Sequence, residues 1–512
     1  MSTVFLLLIL LGLVVCAYRF LGHDIVNPTV LLGLPLAVAV FLGLTCYQQW
    51  KFELHWKTVL LISGAVFSFF VGNLIVYYLY GRYLNASQKQ DSAGVVSQSL
   101  VVQKWHRFVH HLSQQGGKQK FQIIIYLLLL VFQIATYSLT LQHIFHVVSS
   151  YHGEIMVDRT NALGVYDQLT KFSNIDTSLP AMLNIGMLFC ETMGFPLIYL
   201  FAKRLTEVNG NSRLKLLLTP ISLLIIANVV LSAGGPLLTG GKAGTIWFIL
   251  GSLVIIYMTL ANASGQREKS LTWKSMLLIV AVLSALVVLT LILVIVVGRN
   301  ITGYNGPLGY LLIYLAGGIK NLDIFVSNQH MSSGYFGIQT FKSIYQRLGV
   351  SIPDVGLEEY HHIGNTWFGN VYTAFADPYF DFGICGTFIA MILLGLLFEY
   401  LFLHTYNNLN ADRLLIIPTN ALDVAGDSAQ EYGRQTRMKS WSPRVTAFSI
   451  LVYGYLIRAL FFAFFSNILF TSIFSFGFFI RCVIWLFFVE LFIPSSGDPA
   501  LQQNCEGMRN KE

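Results

Sequence analysis

Four basic residues stand where an anion could meet them. Lys242 sits in the turn Gly240-Gly241-Lys242-Ala243-Gly244, directly before an apolar run. Gly-rich backbone at a helix start leaves N–H groups that can cradle an anion, although a plain turn at a membrane edge has the same composition. Arg299 closes another apolar run in Val297-Gly298-Arg299-Asn300. Its planar guanidinium can grip two phosphate oxygens at once, or its stem can simply snorkel toward headgroups. Arg458 and Arg481 fall well inside apolar runs. A charge at the bilayer midplane costs ~2.5–3.5 kcal/mol on insertion scales, so each needs a partner or a polar cavity. Glu191, Glu399 and Glu490 are carboxylates in comparable runs and could pair with them; contact with a bound anion or lining of a polar groove is the functional alternative.

Acid–base groups cluster in a later polar stretch. His361 and His362 lie in Glu358-Glu359-Tyr360-His361-His362-Ile363-Gly364-Asn365. Imidazole titrates near neutrality and can accept a proton from an attacking hydroxyl; ordinary surface histidines look the same in sequence. Adjacent histidines near Glu359 and Asp377 do not make a metal-ligand set, so no metal is expected. Asp381 precedes Phe382-Gly383 and an apolar run, which suits an N-cap as well as a base. Asp377, before Pro378, could bind a substrate hydroxyl or act as the base. Asn365, Asn370, Tyr372 and Thr373 are the right types to position a polar substrate, and Trp367, Phe368, Phe375 and Tyr379 offer faces for sugar rings.

The run Gly369-Asn370-Val371-Tyr372-Thr373-Ala374-Phe375, followed by Tyr379-Phe380-Asp381-Phe382-Gly383 and an apolar run carrying Gly386, resembles the signature region of the oligosaccharide repeat-unit polymerases. These are the Wzy-type O-antigen and capsule polymerases, in which an Asn-x-Tyr-Thr element precedes an Asp-Phe-Gly that opens a membrane helix. The resemblance covers residues 290–400, and more loosely the hydropathy layout elsewhere. It implies a GT-C-like glycosyltransferase that joins polyprenyl-diphosphate-linked oligosaccharide units on the outer leaflet, with no cofactor. It also implies a basic residue at the place of Arg299 facing the lipid diphosphate. Where the family is expected to use Arg, this chain has Lys242, which can neutralise phosphate but not grip it in bidentate fashion. A flippase and a chain-length regulator are the protein partners implied. A ligase transferring finished glycan, and a flippase for the same lipid-linked unit, are the alternatives.

The elements that would hold these residues are membrane helices. The chain has 512 residues, 55% of them hydrophobic and 11% charged, with mean hydropathy +0.63. That charge content is less than half of a soluble domain's. Apolar runs of bilayer length predict an all-α polytopic membrane protein with about eleven spans. They fall near 3–21, 29–47, 58–80, 121–147, 181–202, 216–233, 244–262, 275–298, 382–404, 446–465 and 468–493. The first run has no basic n-region or small-residue cleavage site and is expected to stay as a span. The six cysteines have no CxxC or Cys/His spacing and read as small buried or tail residues.

Lysine and arginine set the orientation. Connection 81–120 carries Arg82, Lys89, Lys104, Arg107, Lys118 and Lys120 against Asp91, so it reads as cytoplasmic. Connections 203–215, 263–274 and 405–445 are basic too, whereas 148–180 carries Glu154, Asp158, Asp167 and Asp176. The expected topology has the amino terminus outside and the carboxyl terminus in the cytoplasm, and the resemblance implies that the membrane is a bacterial inner membrane. Its units are a bundle over 1–298, a large external loop over 299–381, a second bundle over 382–493 with the cytoplasmic loop 405–445, and a tail over 494–512. Inside the loop, 307–318 is apolar but too short to span and reads as a re-entrant or interfacial helix. The net charge of +7 is spread over short loops, which does not suit nucleic-acid binding.

Overall fold

The computed structural model describes residues 1–87, 118–150, 162–172, 177–208, 212–239, 242–264, 288–289, 292, 306–328, 335–350, 361–363, 366–369, 371–406, 408–409, 439–440, 443–465 and 468–493. Its long elements are all α-helical. They are α1 (Ser2–Phe20), α2 (Pro28–Thr45), α3 (Trp56–Ser87), α4 (Lys118–Ser149), α5 (Ala162–Phe172), α6 (Ala181–Thr206), α7 (Pro220–Leu238) and α8 (Lys242–Ser264). The next, α9, runs from Gly306–Leu312 through a π-helical turn, Ile313–Gly317, into Gly318–Ser327. After it come α10 (Ala376–His404), α11 (Pro443–Phe461), α12 (Ile468–Ile473) and α13 (Phe476–Phe492). The short antiparallel pair β1 (His361–Ile363) and β2 (Thr366–Gly369) lies between α9 and α10.

Among the described residues, ten helices are long and apolar enough to cross a membrane, and the chain is a multi-pass membrane protein. Nine expected spans coincide with these helices, and the tenth helix is Leu308–Ser327. The expected span 275–298 lies outside the described residues except for 288–289 and 292. Two expectations need correction. The run 468–493 is not one helix, because Ser475 accepts from the Phe478 N–H and caps a new start for α13. The run 382–404 stands as expected, with a short helical lead-in from Ala376 set off from it by a break at Gly383, whose φ of 66° is open to glycine at little cost. The apolar stretch 307–318 does not stop there: the helix continues to Ser327 because its next polar residues find partners elsewhere in the fold.

Glycines set the helix packing. Gly64 faces Phe388 and Gly72 faces Ile392 and Gly395, so α3 and α10 run parallel. A Cβ on Gly72 would lie 2.3 Å from the Ile392 carbonyl, and one on Gly395 would lie 2.3 Å from that of Phe69. Close backbone approach through small residues is a usual means of helix association in lipid. A second glycine pair, Gly251 and Gly454, brings α8 against α11. One turn along from that contact, Trp247 and Arg458 face each other. Interhelical hydrogen bonds add to this: Gln133 donates to Ser232, Ser232 to the Cys190 carbonyl, and Trp485 Nε1 to the Thr192 carbonyl.

The same contacts sort the bundle's two ends. The starts of α3, α6, α8, α10 and α13 and the end of α11 share one end. The second half of α9 is fastened there. Gly318 packs on the Phe464 carbonyl just beyond α11, and Lys320 Nζ donates to the Glu53 carbonyl. Asn321 Nδ2 donates to the carbonyls of Phe368, Gly369 and Val371, holding the β-hairpin to the helix. Asp323, with a fully buried side chain, accepts from the His55 N–H at 2.7 Å and the Thr58 hydroxyl at 2.7 Å on one oxygen. Its other oxygen faces Lys320 Nζ and His55 Nδ1, each at 3.2 Å. Asp323 thus caps α3 from a neighbouring helix. Asp323→Ala leaves a buried ammonium without its carboxylate and is expected to cost about 3–5 kcal/mol. A large fall in the melting temperature of the purified protein checks this, and an unchanged melt would show the latch to be idle.

Candidate functional site

Two arginines share one carboxylate at that end of the bundle. Arg481, in the second turn of α13, reaches Glu191 Oε2 through Nη2 at 2.6 Å. Arg458, in the last turn of α11, lies 3.6 Å from Glu191 Oε1 through Nη1. All three side chains are largely buried: 10% exposed for Arg481, 7% for Arg458 and 19% for Glu191. The Tyr455 ring separates the cations, 3.8 Å from the Arg458 Cζ and 5.0 Å from that of Arg481, and Phe478 stacks on Tyr455. The Trp247 ring lies 5.5 Å from the Arg458 guanidinium. Gly477 leaves room for Arg481, since a Cβ there would come within 3.2 Å of Nη1.

The charges do not balance. Guanidinium stays charged, so two cations and one carboxylate leave one positive charge in a water-poor setting among the described residues. Three buried donors there, Arg458 Nε, Arg481 Nε and Trp247 Nε1, have no acceptor among the described residues. Buried donors usually find a partner, and a group with acceptor oxygens would satisfy these. Aromatic faces hold the guanidiniums in place by cation–π attraction without consuming their N–H groups.

The acid–base candidates of the polar stretch lie at the same end. His361 Nε2 is 2.8 Å from the Tyr372 hydroxyl, bringing a candidate base together with a candidate positioning residue. Tyr372 packs on Phe325 of α9. Two residues on, the Ala374 N–H donates to the Ala463 carbonyl at 2.8 Å, tying this segment to the turn that follows Arg458. Thr373 is fully buried, and its Oγ1 accepts from the Phe375 N–H at the approach to α10.

The two aspartates lie in the first turns of α10. Asp377 is 2% exposed in the first turn of α10, where a carboxylate is favoured by the helix dipole. Asp381, where the sequence allows an N-cap or a base, stands two residues before the break at Gly383. Its carboxylate accepts from the Gln339 N–H at 3.1 Å and the Thr340 N–H at 2.7 Å, pinning the turn before the short helix Lys342–Arg347. Asp381→Ala should destabilise by about 1–3 kcal/mol as those amides lose their acceptor. Asp381→Asn keeps one acceptor oxygen and should lose less stability than the Ala variant, which a comparison of the two melting temperatures checks.

Arg299, Asn365 and Asn370 lie outside the described residues, as do the side chains of Lys242 and His362. Sequence reasoning proposed carboxylate partners for the intramembrane arginines but did not show that both would converge on Glu191. It missed the His55–Asp323–Lys320 group altogether, although Lys320 and Asp323 stand three residues apart on what proves to be one helix. Compared with protein-family models, curated proteins and solved structures, the chain matches none of them.

Proposed function

We propose that this protein is a membrane glycosyltransferase that polymerises polyprenyl-diphosphate-linked oligosaccharide repeat units at the outer face of a bacterial inner membrane. The observation that carries the reading is the buried Arg458–Glu191–Arg481 group, with its surplus positive charge and unfilled donors. It lies at the bundle end where the described part of the 299–381 segment is gathered. The distribution of Lys and Arg among the connections assigns that end to the outside, and α9 then lies at the outer interface rather than across the bilayer.

In the proposed reaction, the acceptor sugar hydroxyl attacks the anomeric carbon of the donor glycan. The bond from that carbon to the carrier's phosphate oxygen breaks, and the carrier leaves as the diphosphate. Arg458 and Arg481, joined by Lys242 and Arg299, meet the negative charge that develops on the departing oxygens. His361, held by Tyr372, accepts the hydroxyl proton. The α9 layer and the hairpin orient the two sugars.

A second reading, a flippase for the same lipid-linked unit, draws on one observation: the arginine group lies inside the bundle, where transporters place charged sites. Cells carrying Arg481→Ala separate the two. Loss of polymer with single-unit glycans still on the surface supports the polymerase, and disappearance of the single units as well supports the flippase.

A further inference from the structure

Glu191 holds the two guanidiniums much as a bound phosphate would, one oxygen toward each. A ligand that offers acceptor oxygens to Arg458 and Arg481 must therefore displace this carboxylate or crowd it. The position is also the least buried of the three, with 19% of the side chain exposed. We infer that Glu191 is a built-in competitor for the carrier diphosphate, vacating the arginines when the lipid-linked donor binds and returning to expel the spent carrier. This rests on the diphosphate reading above and adds a role for a residue that the reading leaves as a mere counter-ion.

The physical need is release. Two buried arginines acting without competition would hold the product diphosphate as firmly as the donor diphosphate, and departure of product often limits turnover. A carboxylate of this chain that regains both guanidiniums as the carrier leaves lowers the affinity for both states. It also keeps the empty site from presenting two bare buried cations, which would be costly. Replacing it with the isosteric Glu191→Gln keeps a hydrogen-bond acceptor and raises the surplus charge from one to two.

The experiment is equilibrium binding of a sugar-free polyprenyl diphosphate to the purified full-length protein in detergent. The wild type, Glu191→Gln, Glu191→Asp and Arg481→Ala are compared. A coupling of the size usual between competing sites predicts roughly tenfold tighter binding for Glu191→Gln. Glu191→Asp, which draws the carboxylate back by one methylene, should also bind more tightly. It serves as the test if the Gln variant does not fold. Unchanged or weaker binding in the variants, with wild-type binding that depends on Arg481, would overturn the competitor role while leaving the diphosphate site standing. Wild-type binding that is absent, or indifferent to Arg481→Ala, removes both.

Discussion

Arg481→Ala is expected to stop chain growth, slowing addition of each repeat unit by roughly 100- to 1,000-fold, the usual loss when one preorganised donor to developing negative charge is removed. The fold should survive the change. With Arg481 gone, Glu191 and Arg458 remain as a neutral pair, so no buried charge is stranded. Arg481→Lys restores the charge but not the planar fork and should recover only part of the rate. The measurement is the distribution of glycan lengths made by each variant at matched protein levels. Wild-type lengths in Arg481→Ala would mean that the arginine pair serves packing alone.

The second large effect is on folding. Gly72→Val is expected to prevent accumulation of the protein in the membrane, because the added Cβ meets the Ile392 carbonyl at 2.3 Å. Backbone cannot swing aside as the tip of a side chain can. Overpacking commonly costs 1–3 kcal/mol, and a clash of a side chain with backbone belongs at or beyond the top of that range. Gly454→Val should act on the site as well as on the fold. It pushes α11 from α8 at the contact one turn from the Arg458–Trp247 pair, where its Cβ would meet Ile255 Cγ1 at 2.4 Å. Folded material recovered from that variant should show loss of polymer, whereas Gly12→Val, with nothing within 4 Å of its Cβ, should behave as wild type.

Hydropathy was a sound guide to where helices lie, since the bilayer demands long apolar runs whatever the tertiary structure. It failed where tertiary partners decide. Lys320, Asn321 and Asp323 look like the end of an apolar run, yet α9 continues through them because Glu53, His55, Thr58 and the carbonyls of Phe368, Gly369 and Val371 satisfy them. The break at Ser475 turns on a single cap bond, which a run of aromatic residues on either side conceals. Arg458 and Arg481 were conspicuous because charge is rare within apolar sequence. Their convergence on Glu191 depends on the register of α6, α11 and α13, which no local pattern encodes. The hold of Asp381 on Gln339 and Thr340 was hidden for a related reason: those residues are distant from it in sequence.

The central claim is that the arginine pair works on a lipid-linked diphosphate during polymerisation. The measurement that bears on it most directly gives purified protein in detergent a polyprenyl-diphosphate repeat unit as its sole substrate and resolves the products by length. A ladder of glycans on the lipid carrier, with free polyprenyl diphosphate released at each addition and both lost in Arg458→Ala and Arg481→Ala, is the predicted result. A single unextended band from wild-type protein that is folded and binds the substrate would contradict it.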